Sequence, residues 1–406
     1  MDPRRRFHSQ DAYAVETRHG ASSCTSGSRP LRVALVVEAA GGGVAVHLAD
    51  LIQGLVRCDA EVHLIAAPGA RFDSSILTDE VRTLCTSVAW VPMQRNVSWR
   101  DMVSFVQVFR ALAKIRPDVV HAHSSKAGVL ARICFGPWRK VYTPHAVYTL
   151  NPYLEAGARR FYGSIERLFG CWFTDRIVAV SDDEARHLQC DLRIPKHKVT
   201  TIYNGVPVFH RVDRDAARDM LGLDPDAYVV GVVGRLEFQK GIDRLVAIAR
   251  RLERTMGRRV QFALIGAGDI EKVTGVPVTK LPSNIRLAGR VVDARRYFSA
   301  FDIFALPSRY EGFPYVYLEA MAAGLPIVTT RVAGADALVG EWQIGVVVEN
   351  EDDVTQFTET IEMLLQRQDL RQEMSANCAI AAQRFSAHEM VARTLDGYTQ
   401  LISESK

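Results

Sequence analysis

From Leu31 onward, short apolar runs of β character alternate with longer stretches of helical spacing. The first run is Leu31-Arg-Val-Ala-Leu-Val-Val37. Gly41-Gly42-Gly43 follows it. Val44 to Val56 comes next, with Val44, Leu48, Leu51, Ile52 and Leu55 on one side. The pattern predicts a strand, a glycine loop and a helix. The unit recurs. Strands are expected at Glu61–Ala66, Asp118–His123, Lys140–Thr143 and Arg176–Val180. Helices are expected at Asp101–Ile115, Ala127–Phe135 and Ala156–Phe169. Ser181-Asp-Asp-Glu184 has the wording of a capping box that opens another helix.

A seam falls near Asn204-Gly205-Val206-Pro207. A helix is expected at Arg214–Met220, and then a second series opens. Its strands are Tyr228–Val233, Gln261–Ile265, Ile285–Leu287, Ile303–Leu306, Ile327–Thr329 and Gly345–Val348. A last amphipathic helix runs from Glu389 to Ile402. Strands alternating with helices imply parallel sheets covered on both faces. The length of 406 residues exceeds one ordinary core. The expected fold is α/β, with two Rossmann-like domains facing across a cleft. The divisions are a disordered basic tail at 1–30, a first domain at 31–205, a second at 206–385, and a closing helix at 386–406. The tail is rich in Arg, Ser, Gly and His and lacks periodicity.

Composition narrows the function. Hydrophobic residues make up 48% and charged residues 24%, as in ordinary soluble domains. A net charge of +4 gives no overall nucleic-acid footprint. The seven cysteines are scattered and form no C-x-x-C pair. That argues against a disulfide framework or a zinc site and fits a reducing cytosol. No apolar run is long enough to span a bilayer, and no apolar signal core follows the basic N-terminus. The expected location is therefore cytoplasmic.

In open parallel sheets, ligands bind beyond the carboxyl ends of the strands. That rule sorts the chemistry-bearing residues. Glu311 sits on the loop after one strand, and Glu319 lies seven intervening residues later, inside the following helix. The first carboxylate suits sugar hydroxyls, the second the two hydroxyls of a ribose. The plain alternative is one surface and one capping glutamate. Gly312 and its neighbours open that helix, where anions are favoured. Gly234-Arg235 with Lys240-Gly241 puts two cations past another strand end, which suits a diphosphate. Gly42 and Gly43 alone are a weak signal, without a dinucleotide fingerprint. His145 follows a strand within a proline-linked loop, and His123 ends another. His121 reads as a packed residue. The Asp213–Asp215 and Asp224–Asp226 pairs follow no apolar strand, so they are not taken as metal ligands.

These residues resemble glycosyltransferase family 4, a retaining family of the GT-B fold, over nearly everything from Leu31 to the end. The most specific match is Pro307-Ser-Arg-Tyr-Glu311 through Glu319-Ala-Met-Ala-Ala-Gly-Leu-Pro326, the E-x7-E motif. Gly234-Arg235-Leu236 with Lys240-Gly241, Gly42-Gly43, His121-Ala-His123 and His145 match further stretches. The resemblance implies that Arg235 and Lys240 hold the donor diphosphate. Glu311, with Gly312 and Phe313 beside it, would meet the donor sugar, and Glu319 the ribose. His145 and Glu311 would be the catalytic pair, with His123, Gly42 and Gly43 binding substrate. The donor would be a UDP- or GDP-sugar, and the acceptor a glycan or lipid-linked sugar in surface or exopolysaccharide synthesis. Family members need neither a bound metal nor a cofactor. One departure stands at Val332-Ala333-Gly334-Ala335-Asp336, where the family often has Gly-Gly and a Glu. The aromatic and basic stretches Trp99–Arg116 and Arg159–Phe173 add the expectation of peripheral contact with an anionic membrane. A sugar-nucleotide epimerase of the same fold is the enzyme alternative. A sugar-nucleotide-binding protein without catalysis is the non-enzyme one.

Overall fold

Strand residues Val33 to Val37 are all fully buried, because parallel strands are covered on both faces. The structure is a computed structural model that describes residues 29–69, 71–94 and 98–404. All but Arg29 and Pro30 of the tail expected at 1–30 lies outside the described residues.

The first half runs β1 (Arg32–Val37), α1 (Gly43–Arg57), β2 (Glu61–Ala66), α2 (Asp79–Thr83) and β3 (Ser87–Trp90). It continues with α3 (Arg100–Ile115), β4 (Val119–His123), α4 (Ser125–Ile133) and β5 (Arg139–Thr143). It ends with α5 (Ala156–Trp172), β6 (Arg176–Ala179), α6 (Asp182–Arg186) and β7 (Val199–Thr201). The second half opens with α7 (Arg214–Met220), β8 (Tyr228–Val233), α8 (Ile242–Met256), β9 (Val260–Ile265) and α9 (Ile270–Thr274). Then come β10 (Ile285–Gly289), β11 (Ile303–Leu306), α10 (Tyr315–Ala322), β12 (Ile327–Thr330) and β13 (Gly345–Val348). Three helices close the chain, α11 (Thr355–Gln366), α12 (Gln368–Arg384) and α13 (Ala387–Ser403).

The first sheet has the order β3-β2-β1-β4-β5-β6-β7, and the second β10-β9-β8-β11-β12-β13. All neighbouring strands are parallel. The order reverses between β1 and β4, and again between β8 and β11. Those are the two switch points at which such sheets open a crevice for ligands.

Two apolar clusters cover the faces of each sheet. The last helix belongs to the first sheet. Met390, Val391, Tyr398 and Leu401 of α13 pack into the cluster built on β1, β2 and α1. Gly54 makes room for it, since a Cβ there would stand 2.5 Å from Val391 Cγ2. The Tyr398 hydroxyl and His121 Nδ1 share a hydrogen bond of 2.5 Å.

The two edge strands β3 and β7 were not foreseen. They have four and three residues, too few to show a period, and Ser87 and Trp90 of β3 are exposed. The capping box is half as expected. Ser181 Oγ accepts from Glu184 N at 3.2 Å. The Glu184 carboxylate does not return to Ser181. It accepts instead from Val180 N, Ala146 N and Val147 N, at 2.8, 3.0 and 2.8 Å. A buried carboxylate takes as many donors as reach it, and the loop after β5 brings two.

Candidate active site

Loops after β1, β4, β5, β6 and β7 face loops after β8, β11 and β12. Their contact is close at two points. A Cβ on Gly43, in the first turn of α1, would stand 3.0 Å from the Tyr315 ring that opens α10. A Cβ on Gly312 would meet Ala146 Cβ at 2.7 Å. Only a residue without a side chain lets the loop after β11 approach that near to the loop after β5.

The second-domain wall starts from β11. Leu306 ends the strand, and Pro307-Ser308-Arg309-Tyr310 carries the chain to Glu311, which is 8% exposed. Glu311 Oε1 accepts from Lys240 Nζ at 2.7 Å and from Ser308 Oγ at 2.8 Å. Lys240 reaches it from the short turn before α8. That turn ends at Gly241, whose φ is +64°, and a Cβ there would lie 2.0 Å from the Pro307 carbonyl oxygen. The position therefore demands glycine on both counts. Arg235 is exposed and pairs with Glu237 at 2.6 Å. Arg309 is tied up elsewhere. It forks onto Asp243 with two bonds of 2.7 Å and lies 3.9 Å from the centre of the Phe238 ring.

Glu319 lies one α10 turn below Tyr315 and is partly buried. Burial pushes its carboxyl up to about 7, against the pull of Arg295, with Asp293 adding to the rise. Asp50 of α1 is likewise pushed up to about 7 by burial, with Glu319 among the charges that act on it. The Glu319 charge thus reaches Asp50 from the facing side.

Phe313 needs a correction. Its ring does not line open space. It packs against Gly334, Tyr203 and Phe385, with centroid separations of 5.2 Å to Tyr203 and 6.2 Å to Phe385. An aromatic ring between two domains is better placed in apolar cover than in water, so the backbone of Phe313 is what remains for a ligand. Gly334, where the family resemblance weakened, donates its N–H to Asp183 Oδ2 at 2.8 Å.

The first-domain wall is a histidine cluster. His123 is fully buried, and its Nδ1 lies 3.0 Å from His145 Nε2. His145 is partly exposed, with φ +57°, and Ala146 follows with φ +84°. Neither conformation suits an L residue, so the surroundings must hold them. The three bonds to Glu184 do so, since two of them fall on Ala146 N and Val147 N. Burial pushes the Glu184 carboxyl up to about 6, while the three backbone donors work against the rise. His121 stays out of the cleft as expected, bonded to Tyr398 and Thr143.

Sequence reasoning missed His47, Asn204, Asp183 and the positioning part of Glu184. His47 lies inside α1, where a lone histidine in an apolar helix gives no signal. Its ring centre is 4.6 Å from that of His145 and 5.4 Å from that of His123. His47 Nδ1 meets Asn204 Oδ1 at 3.1 Å, and Asn204 Nδ2 donates to the Phe313 carbonyl at 3.1 Å. One amide at the seam thus links both walls. Burial lowers His47 to about 4, with the Asn204 bond opposing, and holds His121, His123 and His145 well below the usual histidine value. The wall is uncharged at neutral pH. The Asp213 and Asp224 pairs serve as local caps, accepting from backbone N–H groups two residues on.

Two family models match the chain, one on each half. The model described as Glycosyltransferase Family 4 matches residues 41–208, and that described as Glycosyl transferases group 1 matches residues 213–380. A relative from Escherichia coli, a UDP-Gal:alpha-D-GlcNAc-diphosphoundecaprenol alpha-1,3-galactosyltransferase, is 27% identical over 76% of this chain and 84% of its own length. The capsular polysaccharide biosynthesis glycosyltransferase CapM of Staphylococcus aureus is 23% identical over 87% of this chain and 94% of its own. Among solved structures, Anabaena HepE in complex with UDP and glucose superposes with a TM-score of 0.76. It is 20% identical and covers 91% of this chain and 99% of its own, a likeness of fold.

Proposed function

The chain belongs to glycosyltransferase family 4, with the GT-B fold, and on that premise we propose that it transfers a sugar from a UDP- or GDP-sugar to a glycan or lipid-linked acceptor with retention of configuration. The observation that carries the reading is the meeting of the Lys240–Glu311 pair and Gly312 with the His145–Ala146 loop across the cleft. A cation, a sugar-binding carboxylate and a neutral histidine wall then surround one point.

Lys240 and Arg235 are assigned to the donor diphosphate. Glu319, in its partly buried place on α10, is assigned to the ribose. Glu311 is assigned to the sugar hydroxyls, which exchange for the Lys240 ammonium when the phosphates arrive. Transfer breaks the bond from the anomeric carbon to the phosphate oxygen. On the same face, the acceptor oxygen bonds to that carbon, and its proton passes to the departing phosphate. Positioning and charge compensation carry such a step. His145, held neutral, adds no positive charge of its own and presents a polar edge to the sugar. The relatives named above act in lipid-linked sugar and capsule synthesis, which supports an acceptor of that class.

The membrane is the second partner. Helices α3 and α5 both pack on the same face of the first sheet. Their outer sides expose Trp99, Met102, Phe161 and Trp172 at 74, 67, 62 and 79%. Exposed Arg100, Arg110, Arg160 and Arg167 stand among them. Apolar tips ringed by cations suit an anionic lipid surface. No helix among the described residues is long and apolar enough to cross a membrane. Flotation with phosphatidylserine vesicles, lost on neutral vesicles or on Trp172→Ser with Phe161→Ser, is the expected result. Equal flotation of the variant would sink this part.

The test of the transferase reading is a thermal-shift panel with UDP, GDP, ADP and NAD, without added metal. A ligand that binds the folded state alone raises its stability, by about 2.7 kcal/mol at a hundredfold excess over Kd. The expected outcome is a shift with UDP or GDP that disappears in Arg235→Ala and Glu319→Ala. No shift with any nucleotide, or a shift with NAD alone, would overturn it.

A further inference from the structure

The chain passes between the two domains at 203–206 and again at 385–387, and these crossings are hydrogen-bonded to one another. Val206 N donates to the Phe385 carbonyl at 2.9 Å, and Ala387 N to the Val206 carbonyl at 3.1 Å. A Cβ on Gly205 would stand 2.2 Å from the Ser386 carbonyl oxygen, so the crossings touch backbone to backbone. A cavity of about 250 Å3 lies against this hinge. That is just below the roughly 300–1,000 Å3 of sites for drug-sized ligands, so it suits a small one.

The walls come from both sides of the hinge. Asp182 belongs to the first domain, at the start of α6. Glu341 and Trp342 belong to the second, on the turn between β12 and β13. Tyr203 and Phe385 are crossing residues. Tyr203 and Trp342 both stand at 77° to the Phe385 ring, with centroids 5.4 and 6.0 Å from it. Rings set nearly at right angles, with carboxylates beside them, furnish sites for ammonium ions.

The charge of the cavity has a sign. The carboxylates of Asp182, Glu341 and Glu389 line it, against the guanidiniums of Arg384 and Arg393. Arg384 pairs with Glu389 at 3.1 Å, and Arg393 donates to the Thr201 carbonyl at 3.0 Å. Asp182 accepts from the Tyr203 hydroxyl at 2.5 Å, and among the described residues no cation pairs with Asp182 or Glu341. Burial, the bond to Asp182 and the charges of Asp182, Glu341 and Asp183 all push the Tyr203 hydroxyl above its ordinary value. Surplus negative charge beside aromatic rings favours a cation and repels an anion.

We propose that this cavity binds a small organic ammonium ion, which ties the two domains together at the hinge. Its N–H groups donate to Asp182 from one domain and to Glu341 from the other, and its carbon chain lies against Trp342 and Tyr203. An occupant held from both sides favours one setting of the domains. That setting reaches the cleft through Asn204, which lines the cavity and bonds both His47 Nδ1 and the Phe313 carbonyl. None of Arg235, Lys240, Glu311 and Glu319, the residues assigned to the donor, lines it.

The test uses the full chain without nucleotide or acceptor, so its failure is distinct from failure of the transferase reading. 1,4-Diaminobutane is titrated calorimetrically, beside 1,4-butanediol and succinate, which share its carbon chain but are neutral and anionic. Expected are one saturable equivalent of the diamine and no saturable binding of the other two. Asp182→Asn and Glu341→Gln should each weaken the diamine by about fivefold, the upper end for one exposed ion pair. Hydrogen exchange at the Val206 and Ala387 amides should slow in the complex. No saturable diamine binding, equal binding of the diol or succinate, or unchanged affinity in both variants overturns the site. Weakening in one variant alone, or unslowed exchange, overturns the tie between the domains.

Discussion

The Lys240 ammonium donates to Glu311 Oε1 at 2.7 Å, and both side chains lie largely out of water. Breaking a buried pair leaves one charge without its partner, at a cost of several kcal/mol. The two partners are not equivalent. A lysine left alone can extend towards solvent along its stem, whereas Glu311 sits on a short loop. Lys240→Met should therefore destabilise by about 3 kcal/mol, and Glu311→Gln by less. Chemical denaturation of both single variants and the double variant checks this. Equal losses in the single variants would refute the asymmetry, and a double variant as costly as their sum would show that the pair is not coupled.

Glu184 holds the loop that presents His145. Replacing it with Ala leaves three N–H groups, those of Ala146, Val147 and Val180, without their acceptor, each worth about 1–3 kcal/mol when left unmade. We expect a fall in stability of 2 kcal/mol or more on that basis. In Glu184→Gln the fold should survive, and turnover should fall more than donor affinity. A variant that keeps full turnover would show that His145 does not depend on this anchor.

The Gly312–Ala146 approach predicts a rescue. Gly312→Ala puts a Cβ 2.7 Å from Ala146 Cβ and must push the two loops apart. Nucleotide-sugar affinity should drop. Ala146→Gly removes the nearest of these contacts, leaving the Cα and N of residue 146 at 3.0 Å, and relieves a left-handed backbone, which for a non-glycine residue costs about 1 kcal/mol. The double variant should regain part of the lost affinity, and Ala146→Gly alone should melt higher. A double variant as weak as Gly312→Ala would refute the steric account.

Asp50 and Glu319 give the pH dependence a sign. Both carboxyls are raised to about 7 in the folded chain. Unfolded, they ionise near 4. Between those values the folded state holds more protons, so their stabilising contribution is present below about pH 4 and fades as pH rises through 7. Asp50→Asn should be more stable than the parent chain at pH 8 and differ little at pH 5. Melting curves across that range decide it. A difference independent of pH would mean that Asp50 is not the titrating group.

The sequence by itself determined most of the elements and which strand ends carry charged residues. Apolar runs of four to six residues, separated by helical spacing, are enough to place parallel strands, because covered strands must be apolar on both faces. The spacing of Glu311 and Glu319 was legible for a related reason, since both lie within one loop and helix. Edge strands β3 and β7 escaped because short, half-exposed strands carry no period. The tertiary structure alone decided who meets whom. His47 and Asn204 are bonded across 157 positions, and Asp183 reaches Gly334 across 151. Such pairs depend on how elements distant in the chain pack, which no local pattern encodes. The same holds for Phe313, whose residue type suited either a ligand or the core. The packing of Tyr203, Gly334 and Phe385 around it put the ring in the core, where an aromatic face gains most from leaving water.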